Sequence, residues 1–159
     1  MLSSAEMVFL EKAIALSRQG MENGHGGPFG CVIVKDNKVI GEGNNRVTSS
    51  NDPTAHAEVV AIREACKHLN NFQLDGCDIY TSCEPCPMCL GAIYWARPRR
   101  VIYANTREEA AAIEFDDDFI YNEINAGIMD RKIPFIHTPH QGAKEVFDAW
   151  KKWEGKQKY

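Results

Sequence analysis

Residues Ser82–Cys89 read SCEPCPMC, and this stretch sets the expectation for the fold and for the site. Pro87 predicts the first turn of a helix, because a proline lacks the amide hydrogen that a first turn leaves unpaired. Cys86 and Cys89 lie three residues apart around that turn, where the positive end of the helix dipole favours thiolates. Zinc prefers thiolate and imidazole ligands in a tetrahedron. The stretch therefore predicts two metal ligands at a helix start.

A second stretch, Thr54–Glu58, reads TAHAE and supplies what the cysteines lack. His56 offers the third ligand, and three protein ligands leave the fourth position of a catalytic zinc to water. Side chains at positions i and i+2 of a helix diverge. His56 and Glu58 can therefore serve one site only from the first turn of a helix, which the preceding Pro53 allows.

The same residues predict a reaction. Zinc lowers the pKa of a bound water toward 7. Glu58 can accept the proton of that water and return it to a ring nitrogen and then to a leaving amine. The order His-x-Glu, then Pro-Cys-x-x-Cys, is the signature of zinc-dependent deaminases of nucleobases. One alternative stays open: Cys83 could join His56, Cys86 and Cys89 in a closed structural zinc site, which would leave Glu58 without a role.

Composition and length narrow the class of protein. A chain of 159 residues suits one domain over 1–159. The net charge of −4 argues against a general nucleic-acid partner, which needs clustered lysine and arginine. The sequence contains neither a long apolar run nor a signal-peptide pattern, so we expect no membrane association and a cytoplasmic location. The other cysteines, Cys31, Cys66 and Cys77, are expected to be plain buried or half-buried residues.

The periodicity of apolar residues predicts alternating helices and strands. Helices are expected at 4–23, 54–69, 85–96, 108–126 (in two pieces broken near Phe115) and from Gln141. Strands are expected at Phe29–Val34, Val39–Val47, Cys77–Ser82, Val101–Ala104 and Ile133–His137. The first two strands should pair antiparallel, and the later strands, joined through helices, should be parallel. The pattern predicts an α/β sandwich in which helices cover a sheet.

Around these residues the chain resembles the cytidine deaminase superfamily and, within it, the small bacterial guanine deaminases. The stretches that carry the resemblance are Gly26–Gly30, Asn51–Glu58, Tyr80–Ala96, Phe115–Asp117 and Tyr159. The resemblance implies a three-layer sandwich with a five-stranded mixed sheet flanked by helices, and zinc as cofactor. It also implies a homodimer in which the C-terminal segments, about 140–159, swap between subunits.

The resemblance further implies a purine pocket. Asn45 would hydrogen-bond the purine ring, and Phe29 would stack on it. Asp117 would bind the amine side of guanine and assist proton transfer. Trp95 would wall the site, and Tyr159 would close the pocket of the partner. The small-molecule substrate would be guanine, attacked at the carbon that bears its amine to give xanthine and ammonia.

The residues alone leave simpler interpretations open. Phe29 and Trp95 could be ordinary packing residues, and Asp117 belongs to an acidic run of the kind that is usually solvated. Tyr159 is the last residue, and chain ends usually fray. Guanosine deaminase, tRNA adenosine deaminase and a structural zinc domain are the competing functions. The net negative charge of the chain and the bulky pair Tyr94–Trp95 argue against a tRNA substrate.

Overall fold

A mixed sheet of four strands, in the order β2-β1-β3-β4, organises the computed structural model, which describes residues 2–159. Strand β1 (Gly30–Lys35) pairs antiparallel with β2 (Lys38–Asn44) and with β3 (Asp78–Cys83). Strand β3 pairs parallel with β4 (Arg100–Asn105). The predicted antiparallel first pair and the predicted parallel arrangement of the third and fourth strands are both confirmed.

The predicted fifth strand at Ile133–His137 was wrong. Residues 133–137 belong to no strand, and Ile133 and Ile136 are 73% and 87% exposed. A strand needs a hydrogen-bonding neighbour along its length, and Pro134 lacks an amide hydrogen for such pairing. The apolar pattern of this segment therefore predicted a strand that does not form.

The second predicted strand ends earlier than expected, at Asn44 rather than Val47. The side-chain oxygen of Asn45 accepts a hydrogen bond of 3.1 Å from the backbone N–H of Val47. Such a local bond offers the backbone an alternative to the strand ladder. The chain consequently turns into the short helix α2 (Val47–Ser50).

Helices cover both faces of the sheet, as the three-layer prediction requires. Helix α1 (Ser4–Glu22) packs with Val32, Val34 and Tyr80 on one face. Helices α3 (Ala57–Leu69) and α4 (Pro87–Ala96) pack on the other face, and their core partners on the strands are Cys31, Ile33 and Ile79. Successive residues of a strand point to opposite faces, so β1 and β3 contribute to both cores in alternation.

The start of α3 lies very close to β2. A Cβ atom added to Gly43 would lie 2.3 Å from the carbonyl oxygen of Ala57, the first residue of α3. Only a glycine allows the two backbones to approach this closely. This contact fixes the helix terminus that carries His56 and Glu58.

Helices and irregular segments follow β4, and the described residues form two compact units. The larger unit ends at Asp118 and includes α5 (Arg107–Ala111). The other unit is Phe119–Tyr159 and contains a 3₁₀ turn (Ile128–Asp130) and α7 (Gln141–Lys152). Helix α6 (Asp118–Asn125) begins after a break at 112–117, which confirms the predicted interruption near Phe115. Within residues 2–159, none of the helices has the length and apolar character needed to span a membrane.

Candidate metal and catalytic site

The N-termini of α3 and α4 bring the predicted ligands together. His56 occupies the N-cap position of α3, and Glu58 lies in the first turn of that helix. Cys86 occupies the N-cap position of α4, and Cys89 lies in its first turn after Pro87. Glu58 therefore lies in the first turn of the helix that follows His56, where the sequence requires it for a shared site. Both helices also direct the positive end of their dipoles toward the site, which stabilises thiolates and carboxylates there.

The distances fit a zinc ion. The Nδ1 atom of His56 lies 3.5 Å from the Sγ atom of Cys86 and 3.5 Å from that of Cys89. The three donor atoms lie within 4.8 Å of one another. Tetrahedral zinc, with bonds of about 2.3 Å to sulfur and about 2.0 Å to nitrogen, separates a sulfur and a nitrogen ligand by about 3.5 Å. The donor set and its spacing therefore suit zinc, and His56, Cys86 and Cys89 are the residues that would hold it.

The surroundings shift the pKa values of the two thiols in opposite directions. The adjacent thiol of Cys89, with a second contribution from His56, lowers the pKa of Cys86 to about 4. The interaction with Cys86, together with burial and the nearby carboxylate of Glu58, raises the pKa of Cys89 far above its usual range. Zinc binds thiolates rather than thiols. Metal binding should therefore release the proton of Cys89, which makes affinity dependent on pH.

Cys83 lies outside the metal cluster. Its thiol is buried and donates a hydrogen bond to the carbonyl oxygen of Thr106 at 3.6 Å. Burial, with the charge of Glu58 added, raises the pKa of Cys83 to about 11, so the group is a neutral thiol. The structure therefore favours three protein ligands and an open fourth position over a closed site that includes Cys83.

Glu58 lies against the metal ligands and is only 5% exposed. Its Oε2 atom accepts a hydrogen bond of 3.3 Å from the Cys89 thiol, and its Oε1 atom accepts one of 2.9 Å from the Thr81 hydroxyl. Burial raises the pKa of Glu58, while the hydrogen bonds to the carboxylate lower it. A carboxylate with a raised pKa beside a metal site is suited to accept a proton and return it.

Two of the predicted substrate residues lie at the end of β2 and before β1. Asn45 is 4% exposed, and a Cβ atom added to Gly26 would lie 2.1 Å from its side-chain oxygen. Phe29 is half-buried and packs edge-to-face on Phe115, with 4.9 Å between ring centroids. Asn45 is held firmly in place, and Phe29 has a packing partner of its own. Their contacts with a substrate stay predictions.

The remaining predicted residues differ in their surroundings. Asp117 is half-buried, and burial, followed by the charge of Cys86, raises its pKa. Trp95 and Tyr159 are 62% and 68% exposed, and Tyr159 belongs to the unit Phe119–Tyr159. Their roles at a pocket stay predictions.

Sequence reasoning missed Thr81, which contacts Glu58 directly. The signal was present in the alternation of β3, because Ile79 and Thr81 must point to the same face of the sheet. Ile79 belongs to the core beneath α3, so Thr81 points toward that helix as well. A hydroxyl between Ile79 and Cys83, both buried on the same face of β3, is the feature that could have identified it.

The fold and the site together define a zinc-dependent deaminase: a three-layer α/β sandwich that carries two thiols, an imidazole and a buried carboxylate at two helix N-termini. Residues 3–105 match the family model of the cytidine and deoxycytidylate deaminase zinc-binding region. The chain belongs to this family.

Several relatives cover almost the whole chain. It is 56% identical to a guanine deaminase of Bacillus subtilis over 151 residues, which are 95% of this chain and 97% of that protein. The X-ray structure of guanine deaminase from Bacillus subtilis superposes with a TM-score of 0.95 at 53% identity and covers 99% of both chains. A tRNA-specific adenosine deaminase of Aquifex aeolicus is 31% identical and covers 89% of this chain and 91% of its own.

Proposed function

We propose that this protein is a guanine deaminase, which hydrolyses guanine to xanthine and ammonia. The observation that carries the proposal is the cluster of His56, Cys86 and Cys89 beside the buried carboxylate of Glu58. The choice of guanine is supported by the Bacillus subtilis guanine deaminase, which is 56% identical over 95% of this chain.

The reaction needs a nucleophile and a carrier of protons. When bound by His56, Cys86 and Cys89, zinc lowers the pKa of a coordinated water toward 7 and so supplies a nucleophile near neutral pH. Glu58 accepts one proton of the attacking water, because Oε2 faces the ligand Cys89. It delivers that proton to the adjacent ring nitrogen as the C–O bond forms, and then takes the second proton from the added oxygen and delivers it to the departing amine. The C–N bond breaks, ammonia leaves, and one water is consumed.

We assign the selection of guanine to polar side chains around the metal ligands. The side-chain oxygen of Asn45 is engaged by Val47, so its amide nitrogen is the group offered to an acceptor on the purine. Asp117 is an acceptor for the N–H groups beside the amine of guanine. A site that hydrogen-bonds its substrate rejects analogues that leave its own polar groups unpaired. Phe29 supplies a ring for stacking, and Trp95 a wall.

We include a homodimer with exchanged C-terminal segments in the proposal. Helix α7 is amphipathic, and its large apolar residues are 50% to 75% exposed: Val146, Phe147 and Trp150. Exposed apolar area of this kind is typical of surfaces that another chain covers. In the exchanged dimer, Tyr159 would close the pocket of the partner subunit. Light scattering on the full chain tests the dimer, and a monomer at micromolar concentration would refute it.

A cytoplasmic location completes the proposal. Within residues 2–159, none of the six cysteines is in a disulfide. Free thiols persist in reducing compartments, where disulfides are rare. Fractionation of cells that express the chain would test the location.

A substrate panel tests the activity. The zinc-loaded protein is incubated with guanine, guanosine, adenosine and cytosine, and ammonia and the deaminated product are measured. We expect xanthine from guanine, with kcat/KM at least about 100-fold higher than for the other three, because each unpaired polar group in the site costs binding. The matched control is Glu58→Ala, which should bind zinc and produce no xanthine. A zinc-loaded wild type that leaves guanine unchanged would refute the proposal.

A tRNA adenosine deaminase is the second candidate, because the Aquifex aeolicus relative covers 89% of this chain. Binding to phosphates requires clustered cations, whereas this chain carries a net charge of −4. Titration with tRNA at two salt concentrations separates the candidates. Salt-dependent binding followed by conversion of adenosine to inosine in the tRNA would favour this second function.

A further inference from the structure

Thr81 connects the middle of the sheet to the carboxylate of Glu58. It lies in β3, is 0% exposed, and pairs in register with Cys31 of β1 and Tyr103 of β4. Its hydroxyl oxygen is 2.9 Å from the Oε1 atom of Glu58. A strand residue with neighbours on both sides has little freedom, and a β-branched side chain is stiff at χ1. The position of this hydroxyl is therefore fixed by the sheet.

The direction of the hydrogen bond follows from the groups involved. An ionised carboxylate only accepts hydrogen bonds, so the Thr81 hydroxyl is the donor to Glu58. The carbonyl oxygen of Gly30 also lies near this hydroxyl, at 3.4 Å. A hydroxyl has one proton, and the shorter bond to a charged acceptor is the stronger one. The hydroxyl of Thr81 therefore donates its hydrogen bond to Glu58 when that carboxylate is ionised.

The two carboxylate oxygens consequently have separate partners. Oε1 is held by Thr81, whereas Oε2 lies 3.3 Å from the Sγ atom of the metal ligand Cys89. A glutamate side chain rotates about three bonds and reaches a fixed orientation only when its end is anchored. An anchor at Oε1 leaves Oε2 directed at the metal ligands, where a proton must be collected and returned.

We propose that Thr81 is a positioning residue for the reaction: its hydroxyl fixes the carboxylate of Glu58 so that Oε2 faces the metal centre. The inference rests on the proposed function in one respect, that deamination uses Glu58 as the proton carrier. Thr81 itself contacts neither the metal ligands nor the substrate in this assignment. Its effect should therefore be on kcat rather than on KM.

The matched variants are Thr81→Val, which keeps the branched shape and removes the hydroxyl, and Thr81→Ser, which keeps the hydroxyl. Loss of a hydrogen bond to a charged group should lower kcat about 10- to 100-fold in Thr81→Val. We expect KM and bound zinc to match the wild type in both variants, and kcat of Thr81→Ser to lie close to wild type. If Thr81→Val does not fold, as judged by circular dichroism, Thr81→Ala replaces it with the same expectation.

A wild-type kcat in Thr81→Val would overturn the inference, and so would an equal loss of kcat in Thr81→Ser. Crystal structures of the zinc-loaded wild type and Thr81→Val give a readout that needs no turnover. In the wild type, the Glu58 carboxylate should adopt one conformation that is directed at the metal ligands. In the variant, it should be rotated or should adopt two conformations. An unchanged Glu58 in the variant refutes the positioning role. Absence of xanthine from the wild type refutes the guanine proposal instead, so the two failures are distinguishable.

Discussion

Asp78 is a carboxylate at the start of β3 whose side chain is only 7% exposed, and it should make the fold sensitive to acid. Arg99 contacts it with two nitrogens, at 2.8 and 2.6 Å, and Arg100 with one, at 2.9 Å. The hydrogen bonds from Arg99, and then those from Arg100, lower the pKa of Asp78 to about 2. The two arginines are themselves exposed, and together they form a paired anchor for a buried charge.

The stabilisation by this cluster follows from the pKa difference. The pKa of Asp78 falls from 3.8 to about 2 on folding. Each unit of pKa is about 1.4 kcal/mol, so the difference corresponds to about 2.5 kcal/mol. Because Arg99 and Arg100 are 61% and 42% exposed, water screens the pair, and we expect about 1 to 2 kcal/mol. A lowered folded-state pKa contributes stability above pH 4, and this stability is lost as the pH falls from about 4 to about 2.

The near-isosteric variant Asp78→Asn isolates this contribution. Urea unfolding of wild type and variant, followed by circular dichroism in the presence of a chelator, gives the free energy of unfolding at pH 7 and at pH 3. The variant should be less stable by about 1 to 2 kcal/mol at pH 7, and by about half as much at pH 3. Changes that acid causes elsewhere occur in both proteins and cancel. A difference that is the same at both pH values would show that the charge of Asp78 is not its source.

Three further substitutions address the site. Glu58→Gln should keep zinc, measured by metal analysis, and lower kcat by about 100-fold or more, because general acid–base catalysis contributes about that factor. Loss of zinc together with activity would show that Glu58 has a structural role. Cys83→Ser should keep both zinc and activity, because that side chain bonds to Thr106; zinc loss would identify Cys83 as a ligand. Gly26→Ala should raise the KM for guanine about tenfold by displacing Asn45, and an unchanged KM would remove Asn45 from the substrate contacts.

The metal site could be predicted because its geometry is local. His56 with Glu58, and Cys86 with Cys89, each lie within a single helix start. The rules for a first helical turn are enough to say where such pairs point. The layers of the fold were predictable for a similar reason, since apolar periodicity reports which face of a strand or helix is buried. The meeting of the two helix starts is a contact across 30 residues, from His56 to Cys86, and it was predicted from the motif rather than from local geometry.

Contacts between distant segments could not be predicted in this way. The bonds of Asp78 to Arg99 and Arg100 depend on the parallel register of β3 and β4, which pairs Asp78 with Arg100. The anchor of Asn45 depends on the close approach of Gly26 from a different loop. The prediction of a strand at Ile133–His137 was wrong for the converse reason. It assumed pairing with a distant strand, and an apolar pattern does not supply such a neighbour.

The position of Glu58 reconciles two opposing requirements of a proton carrier. Burial favours the protonated acid and raises the pKa of Glu58. The hydrogen bond from Thr81 and the position in the first turn of α3 favour the carboxylate. A group that must take a proton from water and then release it works best when neither form is strongly preferred near the working pH. The fold sets these influences against each other by burying the carboxylate at a helix N-terminus, rather than in a purely apolar core or in solvent.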